Sequence, residues 1–177
     1  MTQVIVLNGG SSSGKSSLAR ALQATLPQLW LTFGVDTLMY ALPASGADPR
    51  SGIVLKQDGS VTVLPQFRAL EEQWYSALAQ LARGGTRLIL DEVLLSGAAG
   101  QRRLRQALAD LDVLWVGVYC DAAVAAAREA RRPDRVAGMA VGQAAIVHIG
   151  VEYDVVVDTT DAPSPSLARR IAELVSN

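Results

Sequence analysis

The chain has little of several residue types that common classes of protein depend on. It contains one cysteine, Cys120, in 177 residues, so an internal disulfide is excluded. The only histidine, His148, lies in an apolar stretch. One imidazole cannot build a metal site, and a packed or capping role is favoured. The net charge is −1, which lacks the basic excess typical of proteins that bind nucleic acids.

Long apolar runs are also missing from the sequence. No stretch approaches the roughly 18 apolar residues of a membrane helix. The apolar run near Met1 is too short for a signal peptide and has no basic leader. We therefore expect a cytoplasmic protein without membrane or nucleic-acid partners. There is no internal repeat or linker, so residues 1–177 are expected to form one domain. The sequence leaves homo-oligomer formation open.

Five short apolar runs predict β-strands. Half of all residues are apolar, and these runs are continuous rather than alternating, as is typical of parallel strands covered on both faces. The predicted strands are Val4–Leu7, Leu29–Phe33, Arg87–Leu90, Val113–Tyr119 and Tyr153–Val157.

The segments between these runs have the spacing of amphipathic helices. In the longest, apolar residues recur at steps of three and four, and Gly84-Gly85 follows as a helix stop. Strands that alternate with helices indicate a three-layer α/β fold. The predicted helices are Ser16–Leu26, Gln66–Arg83, Ala98–Ala109, Ala122–Arg131, Gly138–Val147 and Pro165–Val175.

Residues Pro43–Pro65 interrupt this alternation. Within them, Asp58-Gly59 separates two β-rich stretches, which predicts a hairpin turn. Insertions of this kind are either surface decoration or lids over a substrate. Because the segment follows Asp36, a candidate catalytic carboxylate, we interpret residues 43–65 as a substrate lid.

The segment GGSSSGKS carries the strongest functional signal. It matches G-x-x-x-x-G-K-[ST] and lies between a predicted strand and a predicted helix. Its glycines let successive N–H groups point inward, and the helix start adds positive potential. We expect Lys15 to reach the β- and γ-phosphates of ATP and Ser16 to ligate Mg²⁺. The predicted nucleotide site comprises Gly9, Gly10, Ser11, Ser12, Ser13, Gly14, Lys15, Ser16 and Ser17.

A dinucleotide-binding loop is the alternative for the same residues. Asp36 falls about twenty residues further on, as a ribose ligand would. The glycine spacing is not G-x-G-x-x-G, however, and Lys15-Ser16 has no role in that motif. We reject this alternative.

The apolar run Leu88–Leu90 ends in two acids, Asp91 and Glu92. This is the Walker B pattern, in which an acid holds Mg²⁺ directly or through water. Strand ends in solvent often carry acids as well, but the phosphate loop favours a metal role for Asp91. For Glu92, three interpretations are left open: a position behind the metal ligands, a contact with the substrate, or exposure to solvent.

Asp36 follows the second apolar run and is the candidate catalytic base. Ligands of open parallel sheets lie beyond the carboxyl ends of the strands, where a carboxylate could take the proton of an acceptor hydroxyl. Asp36 also precedes the helical stretch Thr37–Leu42, and aspartate is a favoured N-cap. From the residues alone, the two interpretations are equally supported.

Four arginines surround the break between two predicted helices: Arg128, Arg131, Arg132 and Arg135. A loop of this kind over residues 128–137 could close on the phosphates and stabilise the transferring group. Cations also suit a solvated helix C-terminus, and some of the four have only that role. We favour Arg132 and Arg135 as catalytic residues and Arg128 as a nucleotide contact.

Several segments together resemble chloramphenicol phosphotransferases of antibiotic-producing actinomycetes. These are LNGGSSSGKSS, WLTFGVDTLMYALP, LDVLWVGVYCD, DRVAGMA and GVEYDVVVDTT, in the same order and spacing over nearly the whole chain. The phosphate loop is shared by many unrelated enzymes, whereas FGVD with DRVAGMA is far more specific.

The resemblance implies an ATP-dependent kinase with a P-loop fold similar to nucleoside monophosphate kinases. It implies a five-stranded parallel sheet in the order 2-3-1-4-5 and phosphorylation of the primary hydroxyl of chloramphenicol, which inactivates the antibiotic. The aspartate of FGVD, Asp36, would be the catalytic base, and the arginine of DRVAGMA, Arg135, would belong to the site. Lys15 and Ser16 carry over from the phosphate loop.

The chain differs from the family pattern in two places, and these differences leave the acceptor open. This chain has Asp91-Glu92 where the family has two aspartates, and Ala44–Leu64 diverges. The alternatives are a kinase for another hydroxylated metabolite or antibiotic, and a nucleotide-binding regulatory module with little transfer activity. Slow ATP hydrolysis without an acceptor is a third alternative. Against a regulatory module, the chain has no N-K-x-D guanine signature.

Overall fold

The computed structural model describes residues 1–42, 49–56, 58–132 and 137–175. Its main sheet has five parallel strands: β1 (Val4–Asn8), β2 (Trp30–Gly34), β5 (Arg87–Glu92), β6 (Val113–Tyr119) and β7 (Val155–Asp158). The strands lie in the order β2-β5-β1-β6-β7. Counted within this sheet alone, that is the expected order 2-3-1-4-5, and the prediction of a three-layer α/β fold is confirmed.

The helices alternate with these strands. They are α1 (Lys15–Thr25), α2 (Val35–Ala41), α3 (Pro65–Arg83), α4 (Ala98–Ala107), α5 (Ala122–Glu129), α6 (Met139–Ala144) and α7 (Ser164–Ala172). Most ends lie within a few residues of the predicted ones. Among the described residues, none of the helices combines the length and the apolar character that crossing a bilayer requires.

The sheet separates two apolar layers. Along β1, Ile5 and Leu7 face the layer formed with α1 and α7, whereas Val4 and Val6 face the layer formed with α3 and α4. All four side chains are fully buried. The continuous apolar run of β1 therefore reflects a strand covered on both faces.

A separate hairpin stands off the sheet within the predicted insertion. Strands β3 (Ile53–Leu55) and β4 (Val61–Val63) pair antiparallel, which confirms the hairpin predicted at Asp58-Gly59. A third apolar cluster joins this hairpin to α2 and α3 through Leu38, Ile53 and Phe67. Residues 43–48 and 57 of the insertion lie outside the described residues.

The turn of the hairpin rests on the start of α6. Gly59 has φ +80°, and a Cβ there would overlap the backbone of Gly138 and Met139. Position 59 therefore requires glycine both for its left-handed conformation and for this close approach. The contact joins the hairpin to the segment that follows α5.

Candidate active site

The phosphate loop connects β1 to α1 at the carboxyl edge of the sheet. Asn8 anchors its start: Nδ2 donates to the Val147 carbonyl at 2.8 Å, and Oδ1 accepts from the Leu94 N–H at 2.9 Å. Ser12 has φ 57°, so the chain curls tightly before α1 begins. The hydroxyl oxygens of Ser11, Ser12 and Ser13 are enclosed without hydrogen-bond partners. A curled loop whose cleft-lining residues Ser11 and Ser12 carry unpaired hydroxyls fits a phosphate group.

One cleft runs along this edge, with a volume of about 400 Å³. Among the predicted nucleotide-binding residues, it is lined by Ser11, Ser12, Gly14, Lys15, Ser16 and Ser17. The other predicted members, Gly9, Gly10 and Ser13, lie behind that wall. Gly9 is packed against the Val118 backbone and Gly10 against Ala144, so they shape the loop and do not face the cleft.

Lys15 is buried at the first position of α1, with 6% of its surface exposed. Its Nζ donates to the Gly10 carbonyl at 2.8 Å and lies 3.7 Å from Asp91 Oδ1. The ammonium group is therefore enclosed between the loop and the end of β5.

Ser16 and Asp91 lie side by side. The Ser16 hydroxyl donates to Asp91 Oδ2 at 2.6 Å across 75 residues of sequence. A hydroxyl and a carboxylate are oxygen ligands of the kind that Mg²⁺ prefers. The two residues predicted to hold Mg²⁺ are thus adjacent, and their donor set fits that ion.

Asp36 lines the same cleft from the first turn of α2. This helix begins at Val35, and Gly34 is its N-cap, so the interpretation of Asp36 as the N-cap is wrong. A Cβ on Gly34 would overlap the Asp91 carbonyl, because β2 and β5 approach closely there. Gly34 pairs with Asp91 in the sheet, and Asp36 follows Gly34 by two residues.

Glu92 lies behind the cleft wall, next to Asp91 in sequence but on the other side of the strand. Its side chain is 1% exposed, and Oε2 accepts a hydrogen bond from the Tyr75 hydroxyl at 3.3 Å. It does not line the cleft, so the solvent-exposed and substrate-contact interpretations are wrong. Burial, with the neighbouring charges of Glu71 and Asp91, raises the pKa of Glu92 to about 8.

The part of the cleft beyond Asp36 is mostly apolar. An ion pair interrupts it: Arg68 Nη1 lies 2.8 Å from Glu71 Oε2. Arg103 approaches the same oxygen at 3.5 Å. The apolar walls come from α2, the hairpin and α3, and include Val35, Met39, Ile53, Leu55, Val61, Val63 and Phe67.

The predicted arginines differ in their placement. Arg128 and Arg132 line the cleft, whereas Arg131 is exposed and does not. Arg128 Nη2 donates to the Thr159 carbonyl at 2.8 Å, which holds it against the end of β7. Arg135 lies outside the described residues, so its predicted role stays a prediction.

Two further residues contact the phosphate loop, and the sequence analysis predicted neither contact. Gln143 in α6 accepts a hydrogen bond from the Ser11 N–H at 2.7 Å. The Thr159 hydroxyl donates to the Ser13 carbonyl at 2.6 Å. These contacts span 132 and 146 residues of sequence. Thr159 lies in the segment GVEYDVVVDTT, but that segment does not indicate its contact with Ser13.

Comparison with known proteins shows similarity over almost the full chain. Residues 2–176 match the family described as chloramphenicol phosphotransferase-like protein. In two strains of Mycobacterium tuberculosis, a protein provisionally named as an O-phosphotransferase is 32% identical over 183 residues. The match covers 97% of this chain and 81% of the relative.

Solved structures share the fold. A sugar kinase from Janibacter sp. HTCC2649 has a TM-score of 0.70 at 17% identity, covering 98% of this chain and 94% of that one. APS kinase from Mycobacterium tuberculosis, solved with AMPPNP and APS, has a TM-score of 0.62 at 15% identity, covering 99% and 98%. The fold is therefore that of P-loop kinases.

Proposed function

Because this chain belongs to the chloramphenicol phosphotransferase-like family, we propose that it is an ATP-dependent kinase for a hydroxyl group of a small molecule. The observation that carries the proposal is the meeting of Lys15, the Ser16–Asp91 pair and Asp36 in one cleft. That cleft continues into a mostly apolar compartment where an acceptor could lie beside the phosphates.

The phosphate loop and Lys15 would bind the triphosphate, and Ser16 with Asp91 would hold Mg²⁺. The ion supplies positive charge that stabilises the phosphoryl group during transfer. Asp36 would orient the acceptor hydroxyl and take its proton as the oxygen bonds to the γ-phosphorus and the bond to ADP breaks. Such assistance by a base contributes on the order of 10²–10⁴ in rate.

Two segments would close the cleft. Arg132, Arg128 and Arg135 are proposed to neutralise the transferring phosphoryl group from the α5–α6 side. The hairpin of β3 and β4 would cover the acceptor and exclude water. Support for the second role comes from the cleft-lining side chains of Ile53, Leu55, Val61 and Val63.

Chloramphenicol is the proposed acceptor, and its phosphorylation would confer antibiotic resistance. The family supports this substrate, as does the apolar character of the walls beyond Asp36. An aromatic acceptor with a primary hydroxyl would place its ring against Phe67 and Met39 and its hydroxyl at Asp36.

A second acceptor class is favoured by the Arg68–Glu71 ion pair. A purely apolar ligand has no use for charged groups in its compartment, because it cannot replace the hydrogen bonds that they make with water. A hydroxylated metabolite or antibiotic with a polar or anionic substituent could use Arg68. We therefore retain another small-molecule alcohol as the alternative acceptor.

The test is to incubate the purified protein with ATP, Mg²⁺ and chloramphenicol, and to detect phosphorylated drug by mass spectrometry. Asp36→Asn should lower kcat by about 10²-fold or more with little change in ATP affinity. The exposed Asp161→Asn is the matched control and should leave kcat unchanged. An unchanged kcat in the Asp36 variant would remove Asp36 from the mechanism.

The acceptor is tested in the same assay. If ATP binds but chloramphenicol is not phosphorylated, a panel of hydroxylated acceptors with and without anionic groups should identify the substrate class. ATP binding without transfer to any acceptor would favour a regulatory nucleotide-binding protein. Turnover that does not depend on an acceptor would indicate hydrolysis alone.

A further inference from the structure

Gln143 in α6 is a buried amide that lines the cleft beside the phosphate loop, with 7% of its surface exposed. Its Oε1 accepts the hydrogen bond from the Ser11 N–H at 2.7 Å. A backbone N–H can only donate. The amide oxygen must therefore face the loop, and the amide nitrogen must face away from it.

With this hydrogen bond, both polar groups of one peptide unit of the loop are paired. Lys15 donates to the carbonyl of the Gly10–Ser11 peptide, and Gln143 accepts from its N–H. The carbonyl and the N–H of a trans peptide point in opposite directions. Lys15 and Gln143 therefore stand on opposite sides of the segment that leads into the cradle.

The amide nitrogen of Gln143 carries two N–H donors that are not used within the described part of the chain. No described residue accepts a hydrogen bond from Nε2, yet Nε2 is not among the fully enclosed polar atoms that lack a partner. Nε2 is therefore partly accessible, and the side chain that carries it lines the cleft. Neutral N–H donors next to a lysine are suited to phosphate oxygens.

We propose that Gln143 donates from Nε2 to the terminal phosphate of a bound nucleoside triphosphate while its Oε1 holds Ser11. The inference rests on the proposed kinase function and adds a residue that recognises the group to be transferred. The loop N–H groups nearest α1 serve the inner phosphates. Gln143 meets the loop at Ser11 and lines the same cleft as Arg132 and Asp36.

The test compares the affinities of AMPPNP and ADP, each with Mg²⁺, by titration calorimetry. Gln143→Met removes both polar atoms and should weaken AMPPNP binding about tenfold or more, with less than about a twofold change for ADP. Gln143→Glu keeps an acceptor for the Ser11 N–H but loses the donor. It should therefore weaken AMPPNP binding at least as much as Gln143→Met.

Equal losses for AMPPNP and ADP in Gln143→Met, with both affinities restored in Gln143→Glu, would overturn the proposal. They would show that Gln143 only positions Ser11. If the wild-type protein bound neither nucleotide, the proposed kinase function itself would fail. These two results are therefore distinguishable.

Gln101→Met is the matched control. Gln101 in α4 is also buried and also bonds backbone, donating to the Glu152 carbonyl at 2.6 Å and accepting from its N–H at 3.0 Å. It does not line the cleft. Its variant should leave the ratio of the two affinities unchanged, and a change of that ratio equal to that of Gln143→Met would also overturn the proposal.

Discussion

The two acids at the end of β5 differ because successive side chains of a strand point to opposite faces. Asp91 reaches the cleft with 21% of its side chain exposed, whereas Glu92 is enclosed beside Tyr75. The raised pKa of Glu92, about 8, means that this residue is neutral at lower pH. Of these two acids, Asp91 alone then carries a negative charge beside the place proposed for Mg²⁺.

Glu92 makes the stability of the fold dependent on pH. The pKa of a free glutamate side chain is 4.5, and the folded protein raises it to about 8. The unfolded chain therefore loses this proton at lower pH than the folded protein. The stability contribution is complete below pH 4.5 and is lost as the pH rises toward about 8.

Glu92→Gln removes that dependence. Its free energy of unfolding, relative to wild type, should increase by about 2–4 kcal/mol between about pH 5 and about pH 8. Urea unfolding at several pH values measures this. Glu72→Gln, an exposed substitution in α3, is the control and should follow the wild-type curve. Parallel curves for Glu92→Gln and wild type would show that Glu92 is already ionised in the folded protein.

At the residue scale, the sequence could identify side chains whose place in the cleft follows from a local motif. Lys15 and Ser16 follow from the phosphate loop, and Asp91 from the acid at the end of an apolar strand. The contacts of Gln143 and Thr159 with the loop could not be predicted, because each residue meets the loop only after the intervening chain has packed. The burial of Glu92 could not be predicted from the sequence either, since this burial depends on packing against Tyr75 of α3.

At the scale of elements, the hairpin and α6 form one continuous structure across the cleft. The turn at Gly59 rests on Gly138 and Met139, and α6 reaches the phosphate loop through Gln143. Glu129 at the end of α5 steadies the start of α6, accepting from the N–H groups of Gly138 and Ala140 at 3.0 and 2.8 Å. The side proposed for the acceptor and the side proposed for the nucleotide are therefore physically connected.

Gly59→Ala should detach the hairpin. The substitution strains a position with φ +80° and overlaps the backbone of Met139. Hydrogen–deuterium exchange of residues 53–63 should accelerate severalfold, while exchange in β1 and β5 stays unchanged.

Gly85→Ala is the control that distinguishes backbone strain from loss of the contact with α6. Gly85 also has a positive φ, +94°, but a Cβ there would meet nothing within 4 Å. It should leave exchange in residues 53–63 at the wild-type rate. If Gly59→Ala did the same, the contact with α6 would not be what holds the hairpin.

Element types were predicted well because hydrophobic period and turn residues are local signals. The ends were less accurate where tertiary contacts decide them. The last strand was expected from Tyr153 but begins at Val155. The ring of Tyr153 packs over Gly117, and its hydroxyl accepts from Asn8 Nδ2 at 2.6 Å, so this residue turns away from the ladder.

At the scale of the whole molecule, nucleotide binding should stabilise the fold. A ligand that binds only the folded state at a concentration 100 times its Kd adds about 2.7 kcal/mol to the free energy of unfolding. For a chain of 177 residues, that corresponds to a rise in Tm of about 5–10 °C. Thermal unfolding with and without ATP and Mg²⁺ measures it.

Lys15→Met should abolish most of this rise, because Lys15 is enclosed between the loop and Asp91. Lys56→Met is the matched control, since Lys56 is the only other lysine of the chain and is exposed outside the cleft wall. It should keep the full rise. Addition of EDTA should reduce the effect in wild type if Ser16 and Asp91 hold Mg²⁺.

The third apolar cluster has its own buried residues, Leu38, Ile53 and Phe67, and meets the layer of α3 and α4 through Trp74. None of the described buried side chains that pack on β1 comes from the hairpin, so substitutions of hairpin side chains that face the cleft leave the packing of β1 unchanged. Substitutions at positions such as Val61 and Val63 should therefore change the lining of the cleft without unfolding the main sheet. The proposed role of the hairpin therefore predicts that relatives differ in acceptor through this one element, and that exchange of the hairpin between relatives changes the acceptor.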